Sequence, residues 1–310
     1  MKGVILAAGK GTRLYPATHH IPKPLLPIAN RMTLDYAFDR LKEMGVTDIC
    51  MVVGENEQAM REALGEGHEH GVNLTYVRQL EPKGLAHAVG FAKDFVAGDS
   101  FVMYLGDAIY SDGFAEHAAK FRETGCANLT ILKAVEDPRR FGVANVQGDR
   151  ILKLVEKPQQ PESNLAIAGL YFFGPQLWEV LPNLKPSGRG EYEITDAIQL
   201  LVDGGYDVRC GVIEHAWFDT GTLDSFLETS RFLTHGQADI APGARVTGKT
   251  IGHVVVGEGA EVECESIEDS VVLPGAKVKV TGPIVGSLLG GEVVQSSGID
   301  RKIVFGTETN

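Results

Sequence analysis

Short apolar runs alternate with amphipathic helical patterns over about the first 235 of the 310 residues. We predict strands at residues 4–8, 49–53, 74–77, 101–105 and 127–132, with a helix at 34–44 and another after Gly84. The early strands are nearly continuous apolar runs, which is typical of strands covered on both faces of a sheet. The alternation therefore predicts an α/β fold with a doubly wound, mostly parallel sheet.

A short repeat replaces this alternation after residue 235. A glycine, a small residue and a valine recur in fixed order, with glycines at 243, 259, 275 and 290, in steps of 16, 16 and 15 residues. A fixed period of this length predicts a solenoid with one coil per repeat. We therefore predict two domains, at residues 1–235 and 236–310, the second a small left-handed β-helix of the hexapeptide-repeat type. Its few coils leave apolar faces uncovered, so we expect a homo-oligomer that assembles through this domain.

The composition excludes several classes of partner. A net charge of −12 repels nucleic acid and anionic membranes. Apolar runs fall well short of the roughly 20 residues that cross a bilayer, so no membrane partner is expected. The four cysteines (Cys50, Cys126, Cys210 and Cys264) are widely separated without a CxxC pair. This spacing disfavours a zinc site and indicates reduced thiols, so we expect a cytoplasmic protein.

A glycine-rich turn directly after the first predicted strand carries the first chemical signal, in the sequence LAAGKGTRL at residues 6–14. Gly9 and Gly11 let the backbone turn tightly and present N–H groups to a polyanion. Arg13 adds a planar set of donors that suits phosphate oxygens. The following IPKPLLP at residues 21–27 is too rich in proline for a regular helix and would hold Lys23 on a stiff segment.

Together with motifs further along the chain, this pattern resembles the sugar-1-phosphate nucleotidyltransferase family, especially its glucose-1-phosphate thymidylyltransferases. The resemblance covers about the first 230 residues and implies a Rossmann-like nucleotidyltransferase fold. It also implies an enzyme that joins a sugar-1-phosphate, with glucose-1-phosphate favoured, to a pyrimidine nucleoside triphosphate, with dTTP favoured. The expected products are a nucleotide-sugar and pyrophosphate.

The resemblance implies a set of nucleotide-binding residues in three loops. They are Leu6, Ala8, Gly9, Gly11, Thr12, Gln79, Pro82, Gly84 and Gly106. The Gln79 carboxamide both donates and accepts, so it can pair with the edge of a pyrimidine, and Gly84 lets the backbone approach the same base. His87 stands where many thymidylyltransferases of the family have glutamine, and histidine there is also similar to uridylyltransferases. The choice between thymine and uracil therefore stays open.

The same resemblance implies roles for charged residues. Arg13 and Lys23 would be the catalytic residues, because they can stabilise the leaving pyrophosphate. Asp107 ends an apolar strand and Asp219 follows Trp217-Phe218, and the pair is expected to bind Mg²⁺ through hard carboxylate oxygens. Ala108 replaces the asparagine that usually follows the first aspartate. The implied sugar-phosphate residues are Gly142, Glu156, Lys157, Ile167, Gly169 and Arg189.

Three alternatives stay open at this point. One is a UTP-dependent uridylyltransferase that acts on glucose-1-phosphate or N-acetylglucosamine-1-phosphate. Another is a regulatory subunit that binds a nucleotide-sugar and catalyses nothing, although it would have little reason to keep Arg13, Lys23 and both aspartates. The third makes the β-helix an acyltransferase. His253 is the only histidine in that region and has no supporting base in the sequence, so a structural or oligomerising role is expected instead.

Overall fold

The computed structural model describes residues 1–310, and their contacts divide the chain into two compact units. Unit 1 contains Met1–Gly9 and Tyr36–Trp217, and unit 2 contains Lys10–Asp35 and Phe218–Asn310. Each unit is therefore built from two separate stretches of sequence. The division predicted between residues 235 and 236 follows the change of sequence pattern rather than these contacts, and it stays a prediction.

Nine α-helices connect the strands, several of them only one turn long. They are α1 (Ala17–His20), α2 (Thr33–Glu43), α3 (Glu57–Leu64), α4 (Leu85–Gly90), α5 (Lys93–Val96), α6 (Ala115–Thr124), α7 (Leu177–Val180), α8 (Ile194–Asp203) and α9 (Leu223–Leu233). Short 3₁₀ turns lie at Thr12–Leu14, Lys23–Leu25, His68–His70, Pro138–Arg140 and Leu181–Asn183.

The strands fall into a first group up to residue 219 and a second group after it. The first group is β1 (Lys2–Leu6), β2 (Pro27–Ile28), β3 (Arg31–Met32), β4 (Asp48–Val53), β5 (Asn73–Arg78), β6 (Phe101–Leu105), β7 (Ala108–Tyr110), β8 (Asn128–Ala134), β9 (Gly142–Gln147), β10 (Arg150–Glu156), β11 (Leu165–Phe173), β12 (Val208–Ile213) and β13 (Trp217–Asp219). The second group is β14 (Asp239–Ile240), β15 (Arg245–Val256), β16 (Glu261–Val272), β17 (Lys277–Val280), β18 (Pro283–Val285), β19 (Leu288–Gly290), β20 (Glu292–Gln295), β21 (Ile299–Asp300), β22 (Ile303–Phe305) and β23 (Glu308–Thr309).

Unit 1 is organised around a nine-stranded sheet with the order β5-β4-β1-β6-β11-β8-β12-β10-β9. The strands β5, β4, β1 and β6 are parallel to one another, and β8 is parallel to β12. The remaining neighbours are antiparallel. The prediction of a mostly parallel sheet is therefore wrong, because the sheet is mixed. Its antiparallel part comes from β11, which runs against both β6 and β8, and from the hairpin of β9 and β10.

The parallel half of the sheet is the part that the apolar pattern predicted. Its strands β4, β1 and β6 are buried on both faces, with Val4, Val52 and Met103 fully buried, whereas the edge strand β5 is partly exposed. Helices α4 and α8 contribute Val89 and Ile198 to the same core. Because β1, β4 and β6 run in one direction, their carboxyl ends lie at one edge of the sheet, where ligands of open α/β sheets bind.

Unit 2 contains a run of long parallel strands whose pairing follows the sequence repeat. Arg245 pairs with Glu261, Glu261 with Lys277 and Lys277 with Glu292. Each repeat therefore lies beside the same position of the next repeat. Apolar residues at the repeating positions, among them Val262 and Val278, form a separate buried cluster.

A buried histidine connects helix α9 to strand β15 in unit 2. His253 is 1% exposed, its Nε2 lies 2.9 Å from the Ser230 hydroxyl, and its Nδ1 is buried without a hydrogen-bond partner. Burial, followed by the nearby Arg231 charge, lowers the pKa of His253 below its usual 6.5. The unfolded chain therefore binds this proton more readily, so the stability that the neutral ring contributes is lost as the pH falls below about 6.5.

We expect the His253→Gln variant to lose less stability than the wild type between pH 8 and pH 5.5, because glutamine does not titrate. The measurement is the urea midpoint of both proteins at each pH. The comparison with the variant is essential, because burial also lowers the pKa of His117 in unit 1. Identical pH dependence in the two proteins would rule out His253 as a source of the acid sensitivity.

Candidate functional site

The loop after β1 is fixed by residues at the end of the neighbouring strand β4. The Asn56 amide donates to the Ala7 carbonyl (2.9 Å), while its oxygen accepts from the Gly54 N–H (2.9 Å). A Cβ on Gly54 would lie 2.9 Å from the Ala8 oxygen. Sequence reasoning missed Gly54 and Asn56, although a glycine directly after a parallel strand next to β1 is a usable signal.

The proposed base-binding loop of unit 1 joins β5 to α4. Gln79 is buried, and its Nε2 lies 3.0 Å from Nδ1 of His87. Gly84 has φ 104°, and a Cβ there would lie 2.5 Å from the Tyr192 carbonyl oxygen. That carbonyl accepts from the Ala86 N–H at 3.0 Å. Glycine is therefore required where the loop passes the Tyr192 backbone, a contact that the sequence did not indicate.

The end of β6 lies beside the end of β1, as the parallel arrangement requires. The Gly106 N–H donates to the Leu6 carbonyl at 3.0 Å, so two of the predicted nucleotide-binding residues are adjacent. The half-buried Asp107 follows directly. Pro82 is exposed in the loop after Gln79, and Ala8 and Gly9 continue from β1.

A cluster of charged side chains surrounds Glu156 at the end of β10. Its carboxylate accepts from the Thr195 hydroxyl at 2.6 Å and has Lys157 and Arg189 nitrogens each at 3.7 Å. Arg189 also donates to Glu193 at 2.8 Å. Burial raises the pKa of Glu156, while the Thr195 hydrogen bond and the two cations act in the opposite direction. Three of the predicted sugar-phosphate residues therefore meet here.

The other three predicted sugar-phosphate residues, Gly142, Ile167 and Gly169, are buried, and Gly142 lies beside Glu156. A Cβ on Gly142 would lie 2.7 Å from the Ile167 side chain and 3.1 Å from the Glu156 carboxylate. Gly169 passes Leu105, the last residue of β6, equally closely, with 2.9 Å for a Cβ. A side chain at either position would collide with its neighbours, so glycine is required where the chain passes the strand ends.

The predicted catalytic residues lie in unit 2. Gly11 has φ 64° and precedes the turn Thr12–Leu14, which carries Arg13. The Thr18 hydroxyl donates to the Gly11 carbonyl at 2.8 Å and closes this loop. Lys23 packs against Gly11, where a Cβ would lie 3.1 Å from Cβ of the lysine. The proline-rich segment therefore places Lys23 beside the glycine turn.

Asp219, which follows Lys23 by 196 residues in the sequence, lies close to these two cations. Its Oδ1 lies 3.9 Å from the Lys23 Nζ. A Cβ on Gly221 would lie 2.5 Å from Arg13 Nη2 and 2.9 Å from Asp219 Oδ1. The Arg13 guanidinium and the Asp219 carboxylate therefore share the space that the missing side chain leaves. We call Arg13, Lys23 and Asp219 the charged triad.

Residues 305–310 pack against and hydrogen-bond to the segment that carries Arg13 and Lys23. The rings of His20 and Phe305 stack with 4.0 Å between centroids. Glu308 contacts His20 at 3.1 Å and His19 at 3.4 Å, and the Asn310 amide donates to the Tyr15 carbonyl at 3.1 Å. We call Phe305, Glu308 and Asn310 the terminal clasp.

Comparison with known proteins agrees with this arrangement of loops around a mixed sheet. The family described as Nucleotidyl transferase matches residues 2–236. The low-salt glycan biosynthesis nucleotidyltransferase Agl11 of Haloferax volcanii is 38% identical over 330 residues, covering 94% of this chain and 92% of that protein. A glucose-1-phosphate thymidylyltransferase of Streptomyces griseus is 39% identical over 312 residues, covering 98% and 87%.

A solved structure shows the same fold. UDP-glucose pyrophosphorylase complexed with UDP-glucose has a TM-score of 0.69 at 26% identity, covering 76% of this chain and 99% of that one. The chain therefore belongs to the nucleotidyl transferase family, and the prediction of a nucleotidyltransferase enzyme is confirmed. None of its helices combines the length and apolar character that crossing a membrane requires.

Proposed function

We propose that this enzyme transfers a nucleotidyl group from a pyrimidine nucleoside triphosphate, with dTTP favoured, to glucose-1-phosphate and releases pyrophosphate. The charged triad is the main observation that supports this proposal. Two cations beside one partly exposed carboxylate suit a triphosphate that is about to lose its pyrophosphate. The names of the relatives from Streptomyces griseus and Haloferax volcanii support the same reaction class.

The reaction requires alignment and charge neutralisation more than covalent help from the protein. An oxygen of the sugar phosphate attacks the α-phosphorus in line, and the bond to the pyrophosphate oxygen breaks. The attacking oxygen is already an anion at neutral pH, so no general base is needed. Arg13 and Lys23 stabilise the charge that builds up on the leaving pyrophosphate. Lys157 and Arg189 hold the sugar phosphate, and Glu156 accepts hydrogen bonds from sugar hydroxyls.

The residues present fit a divalent cation, with Mg²⁺ as our proposal. The Asp219 side chain is 36% exposed, and 3.9 Å from Lys23 is too long for a tight ion pair, so carboxylate lone pairs remain available. Asp107, at the end of β6, is the other carboxylate that the sequence resemblance implies as a ligand, and carboxylate oxygens are of the type that Mg²⁺ prefers. When bound, the ion would neutralise phosphate charge.

We also propose that residues 236–310 form the predicted left-handed β-helix and mediate homo-oligomer assembly. The parallel pairing about every 16 residues supports the coil, and exposed apolar side chains such as Val294 support self-association. The domain division at residue 235 and a cytoplasmic location belong to the same proposal. The four free cysteines, three of them buried, support a reducing compartment.

A UTP-dependent uridylyltransferase is the second candidate. His87 beside Gln79 is the observation that favours it, together with the likeness to UDP-glucose pyrophosphorylase. The two candidates share the triad and the mechanism and differ only in the base and the sugar, so one experiment separates them.

The test is pyrophosphate release with Mg²⁺, for dTTP, UTP, CTP, ATP and GTP, each combined with glucose-1-phosphate or N-acetylglucosamine-1-phosphate. We expect release that requires both substrates and is fastest with dTTP and glucose-1-phosphate. A faster reaction with UTP would select the second candidate. Binding of nucleotide-sugars without pyrophosphate release from any pair would contradict both candidates.

A further inference from the structure

The side chain of Gln79 is held by one neighbour on helix α4. Gln79 is only 7% exposed, and its backbone N–H donates to the Val53 carbonyl at 2.8 Å, which fixes its position at the end of β5. Its Nε2 lies 3.0 Å from Nδ1 of His87. A carboxamide nitrogen can only donate, so His87 Nδ1 must be the acceptor.

Accepting at Nδ1 requires a neutral imidazole with its proton on Nε2. The surroundings of His87 favour the neutral ring. Phe91 meets the ring edge-on and Tyr192 lies over it, with centroids at 5.1 and 6.3 Å. The charged groups that face His87 are Lys83 and Glu81. Burial first and Lys83 second lower the pKa of His87, against a smaller opposite effect of Glu81.

We propose that His87 selects the base by locking the Gln79 carboxamide in one of its two orientations. The inference rests on the proposed function, in which Gln79 reads a pyrimidine. With Nε2 turned to His87, the remaining Nε2–H and the Oε1 atom point in a fixed order along the edge of the base. His87 is thus a positioning residue, because it acts through Gln79 rather than on the substrate.

The order of donor and acceptor decides which pyrimidine fits. Thymine and uracil present N3–H as a donor and O4 as an acceptor, so they match Oε1 and Nε2–H respectively. Cytosine presents the reverse pattern, with N3 as an acceptor and the 4-amino group as a donor. A carboxamide that rotates by 180° would accept cytosine in the same position. A locked carboxamide rejects it, because mismatched buried polar groups lose their hydrogen bonds.

The test is the ratio of kcat/KM for the better of dTTP and UTP to kcat/KM for CTP. His87→Phe keeps an aromatic ring between Phe91 and Tyr192 but cannot accept from Gln79. We expect this ratio to fall about tenfold or more in His87→Phe, chiefly because CTP is used better. His87→Asp, whose carboxylate can only accept, should restore most of the ratio. Phe91→Leu is the matched control, since it changes the ring contact and leaves the hydrogen bond.

A pH series gives a second readout. Protonated His87 donates from Nδ1 and would turn Gln79 around, so the wild-type ratio should fall as the pH drops below about 6.5, while His87→Phe shows a flat profile. Taking a ratio cancels the ionisation of the phosphates, which both nucleotides share. An unchanged ratio in His87→Phe, or an equal loss with all nucleotides, overturns the lock while the proposed function stands. A wild type that releases pyrophosphate from none of these nucleotides overturns the proposed function itself.

Discussion

Alanine at position 23 is expected to lower kcat by about 10²–10³-fold while changing KM for the nucleotide only a few-fold. Lys23 is 8% exposed and faces Asp219 within the charged triad. On the proposed mechanism, the Lys23 charge stabilises the negative charge that builds up on the leaving pyrophosphate as the bond breaks, so the loss is expected in turnover rather than in binding. The measurement is steady-state pyrophosphate release with both substrates varied.

Three further variants separate the role of the triad from a loss of folding. Lys23→Arg keeps the charge and should recover part of the rate. Gly221→Ala adds a Cβ 2.5 Å from the Arg13 guanidinium and should lower kcat by displacing it. Lys93→Ala, on the exposed surface of α5, should match the wild type. A Lys23→Ala protein with wild-type turnover would remove Lys23 from the mechanism, and equal thermal midpoints of all variants exclude unfolding as the cause.

Removing residues 236–310 is expected to reduce turnover by at least about 10²-fold, although the sequence pattern suggests that residues 1–235 form a complete catalytic domain. The reason lies in unit 2, where Lys10–Asp35 packs with Phe218–Asn310. The terminal clasp holds the outer side of this segment, and the Asn30 amide donates to the Asp239 carbonyl at 3.1 Å. Without these contacts Arg13 and Lys23 lose the support that aligns them.

Single substitutions test which contact of the C-terminal residues supports turnover. Phe305→Ala removes the ring that stacks on His20 and should lower kcat more than it raises KM. Lys249→Ala, at an exposed side chain of β15, is the control and should leave turnover unchanged. The measurement is again pyrophosphate release, together with a far-ultraviolet circular dichroism spectrum of each protein. Full turnover of the 1–235 fragment would contradict the role assigned to the C-terminal residues.

The sequence predicted those features that depend on neighbours along the chain. The apolar runs located β4 and β6 to within a residue, and the three prolines indicated that no regular helix carries Lys23. The hairpin of β9 and β10 also had a local signal, Gly148-Asp149 between two apolar stretches, which the prediction did not use. Local physics, meaning turn geometry and burial of alternate faces, is sufficient for these elements.

Features that depend on distant partners were not predictable in this way. The direction of β11 follows from its pairing with β6 and β8, and an apolar strand reads the same in both directions. Gly221 had no signal, because a side chain there would collide with Arg13, which lies 208 residues earlier in the sequence. The division into two discontinuous units arises for the same reason: the repeat pattern marks a change of local structure and does not show which segments pack together.

The discontinuity of unit 2 has a consequence for how the protein is made. Lys10–Asp35 is synthesised before Tyr36–Trp217, whereas its packing partners in Phe218–Asn310 are synthesised after that stretch. Domains fold as their residues become available, so β1 can pair with β4 and β6 while the adjoining segment still waits for its partners. The segment with Arg13 and Lys23, which we propose to bind phosphate, therefore stays without its packing partners while Tyr36–Trp217 is synthesised. On this proposal, competence to react with a nucleotide would follow only after Phe218–Asn310 has been synthesised.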